Sequence, residues 1–177
     1  SAPVGAFTAA NRDAWLKNRE ALLSGPSAEQ NRKALEKIES GIIVLALDSG
    51  KPVTFDERGV AVYGGDARNR FFDKQQIVVS ENGASGYIGE HSMMDGSQTL
   101  RLNNFMVSVL EAGKIELGGP SSGSVLDDPE YLSFDVNADL SNASNAAGQD
   151  FASLMDEQDM SVLDFTAYGK DAIKQYK

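Results

Sequence analysis

The residues of this chain best suited to acid–base chemistry lie in one short run. His91 is the only histidine among the 177 residues, and it follows Glu90 directly and precedes Asp95 by four positions. An imidazole accepts a proton near neutral pH, and a nearby carboxylate can orient the ring or stabilise the imidazolium that forms. We therefore interpret His91 as a candidate general base and Asp95 as its orienting carboxylate. The alternative is a buried, hydrogen-bonded core histidine beside an aspartate that caps a helix.

The elements that must position this run predict an α/β chain with a mixed sheet. The continuous apolar run at 42–47 is typical of a strand buried on both faces. A strand at 76–80, the turn signal Glu81-Asn82-Gly83 and a return strand at 86–89 predict a hairpin. This hairpin would deliver His91 at the end of its second strand.

Helices are predicted on both sides of the hairpin. The first covers 8–24, and the second begins at Ser27, where Ser27 and Gln30 match a capping box, and ends at Gly41. Another helix follows Gly96 and ends near Gly113. The remaining chain is assigned as mostly loop over 48–68, loop or linker over 114–130, a strand at 131–136, a helix near 139–157 and a strand at 161–168.

Composition narrows the range of functions. The net charge of −10 argues against a duplex nucleic-acid surface, because such a surface needs clustered Lys and Arg. The absence of cysteine excludes a thiol nucleophile and a cysteine-based metal site. No window approaches about 20 consecutive apolar residues, so we expect no membrane span. No signal peptide is visible, and the chain begins at Ser1 without an initiator methionine.

A second catalytic pattern, Gly119-Pro120-Ser121-Ser122-Gly123, satisfies the Gly-X-Ser-X-Gly nucleophile elbow of hydrolases. That motif requires a strand before the serine and a helix after it. Here it lies in a Gly-, Pro- and Ser-rich stretch, so the hydrolase interpretation is the weaker one.

Several segments along the chain carry a resemblance to one enzyme family. They are Pro3-Val4-Gly5 with Thr8, Arg12 and Trp15; the apolar strand 43–48 ending in Leu-Asp; Asn69-Arg70-Phe71-Phe72-Asp73-Lys74; Gly89-Glu90-His91-Ser92-Met93-Met94-Asp95-Gly96; and Tyr168-Gly169-Lys170-Asp171 with Lys174. In order and residue type these segments resemble the choline/carnitine acyltransferases, over nearly the whole chain. The sequence is most similar to the fungal carnitine acetyltransferases of that family.

The resemblance implies a function and its residues. It implies reversible acyl transfer between CoA and carnitine, without an acyl-enzyme, and a partial mixed-sheet fold like that of chloramphenicol acetyltransferase. His91 would be the base, Asp95 its orienting carboxylate, and CoA or acetyl-CoA a co-substrate rather than a bound cofactor. Lys170 and Lys174 would meet the 3′-phosphate of CoA, since two ammonium groups one helical turn apart suit a dianionic phosphate. Arg70 and Asp73 are interpreted as a structural pair.

The resemblance also implies a layout, because members of the family are much longer. Residues 1–135 would be the later half of the first, His-bearing domain, and 136–177 the start of the second. The remainder of the parent polypeptide would then be a partner, and we expect the isolated chain to be nearly inactive. The implied location is the mitochondrion or the peroxisome. Choline as acceptor, a longer acyl chain, and a non-catalytic folding or interaction module remain alternatives.

Overall fold

A computed structural model describes residues 3–92, 94–115 and 129–176 of the chain. The helices are α1 (Arg12–Leu22), α2 (Ala28–Ser40), α3 (Phe55–Tyr63), α4 (Gly96–Glu111), α5 (Ala138–Asp156) and α6 (Lys170–Lys174), and the strands are β1 (Ile43–Asp48), β2 (Gln75–Ser80) and β3 (Ser85–Ile88). Short 3₁₀ turns cover Val4–Ala9 and Ala67–Asn69. The class is mixed α/β, as predicted.

The sheet found in the described residues is small and mixed. Its order is β1-β2-β3, with β1 parallel to β2 and β2 antiparallel to β3. The predicted hairpin is confirmed, and Gly83 takes the positive φ of 81° that its turn requires. α3 lies in the crossover between the two parallel strands and packs on one face of the sheet, where Val62 contacts a cluster of Ala46, Val78 and Ile88.

The prediction that the first strand is buried on both faces is wrong for the described part of the chain. Ala46 is buried beneath α3, whereas Leu45 and Leu47 on the opposite face are 60% and 68% exposed. Successive side chains of a strand point to opposite faces, and the described helices cover only one of them.

The segment assigned as mostly loop contains α3, whose start has a complete capping box. Thr54 Oγ1 accepts from the Glu57 amide at 3.1 Å, and a Glu57 carboxylate oxygen accepts from the Thr54 amide at 2.9 Å. The Thr54 amide, and after it the Val53 amide, lower the pKa of the Glu57 carboxyl because both donate to its carboxylate. The capping box predicted at Ser27 is wrong, because the Ser27 hydroxyl donates instead to the carboxylate of Asp135.

A second core joins the first residues of the chain to the segment that contains Phe134 and Leu140. It consists of Val4, Phe7, Trp15, Leu22, Ala34, Leu35, Phe134 and Leu140. α5 closes this core against the first 3₁₀ turn, and the Ser144 hydroxyl donates to the Pro3 carbonyl at 2.9 Å. The domain boundary at residue 135 stays a prediction.

The strand predicted at 131–136 is absent, although its alternation is correct. Leu132, Phe134 and Val136 pack on the second core, but no neighbouring strand of the described residues pairs with them. The buried side chain of Asn31 takes the place of a neighbouring strand: its amide donates to Asp135 O at 2.8 Å and accepts from Asp135 N at 2.9 Å. An alternating pattern indicates two faces, but a ladder needs a second strand.

Of the other secondary-structure predictions, some are confirmed and some are wrong. The helices after Gly96 and near 139–157 are confirmed. The strand predicted at 161–168 is wrong, because this segment is irregular and pairs with no strand of the described chain. The first helix begins at Arg12 rather than at 8. Of the predicted loop at 114–130, residues 116–128 lie outside the described residues. None of the described helices is long and apolar enough to cross a membrane.

Candidate active site

His91 lies in the turn that connects β3 to α4. β3 ends at Ile88, and α4 begins at Gly96, so the imidazole is carried between a strand and a helix N-terminus. Its side chain is 79% exposed. The alternative of a buried core histidine is therefore wrong, and the ring is accessible to a solute.

Asp95 contacts His91 and also caps α4. Asp95 Oδ1 lies 3.1 Å from His91 Nε2 and accepts a hydrogen bond from the Gly96 amide at 2.6 Å. The Gly96 amide, and after it the His91 ring, lower the pKa of the Asp95 carboxyl. Asp95 is therefore an anion near neutral pH, and it faces the ring as an acceptor. The part of the alternative that made Asp95 a helix cap agrees with this geometry.

The carboxylate of Glu90 braces the turn from inside. It accepts from the Ser92 amide at 3.0 Å and from the Ser92 hydroxyl at 2.7 Å. Both bonds span the position of His91, so Glu90 shapes the turn rather than contacting the ring. This gives a structural role to a residue that sequence reasoning left without one.

An open groove of about 420 Å³ contains the imidazole. Its described lining is Tyr63, Tyr87, Gly89, His91, Met94, Gly96, Thr99, Leu100 and Asn103. The groove therefore combines apolar and aromatic side chains with one imidazole. Lys170 and Lys174 both lie on the exposed α6, and α6 contributes nothing to the described lining of this groove.

Arg70 bonds the end of β1, the strand that pairs with the first strand of the hairpin. It is fully buried and donates to both oxygens of Asp48, at 3.0 and 2.7 Å. The proposed pair with Asp73 is wrong, because Asp48 at the end of β1 is the carboxylate that the guanidinium reaches. Burial raises the pKa of Asp73, and the charge of Arg12 opposes that rise only in part.

Sequence reasoning missed Gln75 and Tyr87. The side-chain amide of Gln75 donates to the Glu90 carbonyl and accepts from the Glu90 amide. The Tyr87 hydroxyl donates to the side-chain oxygen of Gln75. The hairpin register was the available signal. Extending the pairing of Gln76 with Ile88 by one step places Gln75 opposite Gly89, next to the turn that carries His91.

The hydrolase interpretation stays a prediction, because Ser121 and the rest of its Gly-X-Ser-X-Gly pattern lie outside the described residues. Among the described residues, no group of three or more His, Cys, Asp or Glu side chains could hold a metal ion.

The fold and the site together define a class of protein. It is a mixed α/β chain in which one exposed imidazole lines an open groove and lies beside an ionised carboxylate. This arrangement is suited to general-base chemistry. Residues 1–177 match the family model described as Choline/Carnitine o-acyltransferase. The chain belongs to this family.

Three relatives of this chain include two acetyltransferases. The mitochondrial carnitine O-acetyltransferase of Saccharomyces cerevisiae is 33% identical over 98% of this chain and 26% of its own length. A highly reducing polyketide synthase of Aspergillus luteorubrus is 39% identical over 61% of this chain and 3% of its own length. The choline O-acetyltransferase of Danio rerio is 27% identical over 99% of this chain and 29% of its own length. The chain thus spans little more than a quarter of the two acetyltransferases.

Proposed function

We propose that the gene product containing these residues transfers an acetyl group reversibly between CoA and carnitine, with His91 as general base. The observation that carries this proposal is the exposed His91 ring beside the Asp95 carboxylate. It is supported by membership of the family and by 33% identity to the yeast carnitine O-acetyltransferase. CoA or acetyl-CoA acts as co-substrate and leaves after each turnover.

The proton moves through the ring in both directions. His91 accepts the proton of the carnitine hydroxyl as that oxygen attacks the thioester carbonyl, so a C–O bond forms directly. The C–S bond then breaks, and the imidazolium returns its proton to the departing sulfur of CoA. Asp95 stabilises the imidazolium, because its lowered pKa keeps it ionised. When the ring donates from Nε2 to Asp95, its lone pair is on Nδ1 for the substrate.

The remaining parts of the proposal come from the family resemblance. Lys170 and Lys174 meet the 3′-phosphate of CoA. The fold is part of a chloramphenicol acetyltransferase-like enzyme, with residues 1–135 in the first domain and 136–177 opening the second. The rest of the polypeptide completes the substrate tunnel. A mitochondrial location is supported by the yeast relative, and a peroxisomal one is the alternative.

The test is an assay of the complete gene product that contains residues 1–177. Acetyl-CoA and carnitine are mixed with enzyme, and loss of the thioester is followed by absorbance. We expect His91→Ala to lower kcat by about 10²–10⁴-fold, the range of a lost general base. Gln98→Ala, an exposed substitution on α4 outside the groove, should leave the rate unchanged. A His91→Ala enzyme within threefold of the wild type would contradict the proposal.

The main alternatives differ in the identity of the acceptor and in the length of the acyl chain. The zebrafish relative makes choline a candidate acceptor. Running the same assay with choline, and then with long-chain acyl-CoA, separates these alternatives by kcat/KM. No transfer with any of these substrates would favour a non-catalytic interaction module.

A further inference from the structure

The side-chain amide of Gln75 extends the hairpin ladder beyond its last backbone pair. The ladder between β2 and β3 ends with Gln76 opposite Ile88. Beyond that pair, Gln75 Nε2 donates to Glu90 O at 2.8 Å, and Glu90 N donates to Gln75 Oε1 at 3.2 Å. One side chain therefore satisfies both backbone groups of the residue that precedes His91.

This amide is itself held in place. Gln75 is buried, and the hydroxyl of Tyr87 donates to its Oε1. Tyr87 also lines the groove that contains His91. A buried amide with donor and acceptor both engaged has one orientation, because rotating it would leave polar atoms unpaired.

The same device occurs a second time in the molecule, where its effect is visible. Asn31 bonds the amide and the carbonyl of Asp135 in the same two-bond manner and holds an extended segment that has no neighbouring strand among the described residues. In this fold an amide side chain can therefore supply the two backbone hydrogen bonds that a neighbouring strand would make, beside the core packing of Leu132, Phe134 and Val136.

We propose that Gln75 is a positioning residue for His91: its amide fixes the backbone of Glu90 and so sets where the turn presents the imidazole. Glu90 transmits this placement, because its carboxylate bonds Ser92 on the far side of His91. The ring itself is exposed, so packing does little to hold it. The inference rests on the proposed function of His91 as the base.

The experiment compares three variants of the complete gene product. Gln75→Met keeps the size of the side chain and removes both hydrogen bonds to Glu90. Tyr87→Phe removes only the bond to Gln75 Oε1. Asn82→Ala is the matched control, because the Asn82 amide also makes two backbone bonds, to Pro52 O at 2.8 Å and from Ala84 N at 3.2 Å, but at the opposite end of the hairpin.

Two measurements are made on each variant. Hydrogen exchange of the peptide covering 88–92 reports the opening of the turn, and we expect it to become at least about tenfold faster in Gln75→Met. Steady-state kinetics should show kcat lower by about ten- to a hundredfold with both KM values nearly unchanged, because the base is misplaced while substrate binding is intact. Asn82→Ala should alter neither measurement.

The outcomes separate this inference from the proposed function. If His91→Ala abolishes transfer but Gln75→Met has the kcat of Asn82→Ala, the positioning role is overturned and the base remains. If His91→Ala retains full rate, the proposed function is overturned and the inference with it. Should Gln75→Met fail to fold, Tyr87→Phe decides: a kcat several-fold below that of Asn82→Ala supports the role, and an equal kcat overturns it.

Discussion

The guanidinium of Arg70 donates to both carboxylate oxygens of Asp48, from Nη1 at 3.0 Å and from Nη2 at 2.7 Å. The same Nη2 donates to the Ala61 carbonyl near the end of α3, at 2.9 Å. One buried cation therefore joins the end of β1 to the helix that covers the sheet. The hairpin that carries His91 is built on this joint, because β2 pairs with β1 along its length.

Removing the Arg70 guanidinium should destabilise the folded chain. We expect Arg70→Met to lower the free energy of unfolding of the chain by about 3 kcal/mol, because Asp48 loses its ion pair in a partly buried position. Arg68→Met is the matched control: Arg68 pairs with Asp66 at the surface, where such a pair contributes less than about 1 kcal/mol. Denaturant unfolding measures both. Equal losses in the two variants would contradict the assignment.

The same pair predicts how stability responds to acid. Arg70 lowers the pKa of Asp48 below its ordinary value of 3.8, so the stabilisation is fully present above that value. It is lost as the pH falls through the lower pKa of the folded state. Unfolding measured from pH 5 downwards should therefore show a steeper loss of stability in the wild type than in Arg70→Met. Parallel curves would count against the ion pair as the cause.

Gly86 allows α3 to approach β3. A Cβ atom at this position would lie 2.4 Å from Val62 Cγ2, so we expect Gly86→Ala to destabilise the chain by about 1–3 kcal/mol through overpacking. Adding Val62→Ala should recover part of that loss by making room.

Gly148→Ala, in the interior of α5 where the nearest atom is 4.0 Å away, should instead stabilise by about 0.5–1 kcal/mol. Thermal or denaturant unfolding of the variants checks all three.

The Asp95 carboxyl offers a direct spectroscopic test of the site. Carbon-13 NMR of its side chain should show a pKa below the ordinary 3.8 in the wild type. In His91→Gln the pKa should rise only in part, because the Gly96 amide is the larger cause of the shift. Complete return to the ordinary value would mean that the His91 ring, rather than the helix cap, dominates.

The contact between the candidate site residues could be predicted from the sequence where those residues are close together along the chain. His91 and Asp95 are four positions apart, and the turn signal at Glu81-Asn82-Gly83 fixed the hairpin that precedes them. Short spacing restricts where two side chains can go, so local signals sufficed. The family resemblance rests on the same short segments and is confirmed by the family match.

Two of the errors depend on distant residues. Arg70 could have paired with Asp73 on spacing alone, yet Asp48, 22 positions away, is the carboxylate it reaches. The capping pattern at Ser27 looked complete, but its hydroxyl bonds Asp135 across the fold, while the true capping box lies at Thr54. A local pattern states what a side chain can do, and tertiary packing decides which available partner it meets.

The sequence by itself determined the mixed α/β class, the hairpin and the candidate base through local spacing, periodicity and turn chemistry. It indicated the family through the resemblance of several short segments to that family. Only the tertiary structure decided that 131–136 is extended without a ladder, that the far face of β1 is uncovered by the described helices, and that Gln75 holds the residue before His91. Those outcomes depend on which surfaces fold against one another. A hydrogen-bond partner many positions away leaves no periodic trace in the residues it satisfies.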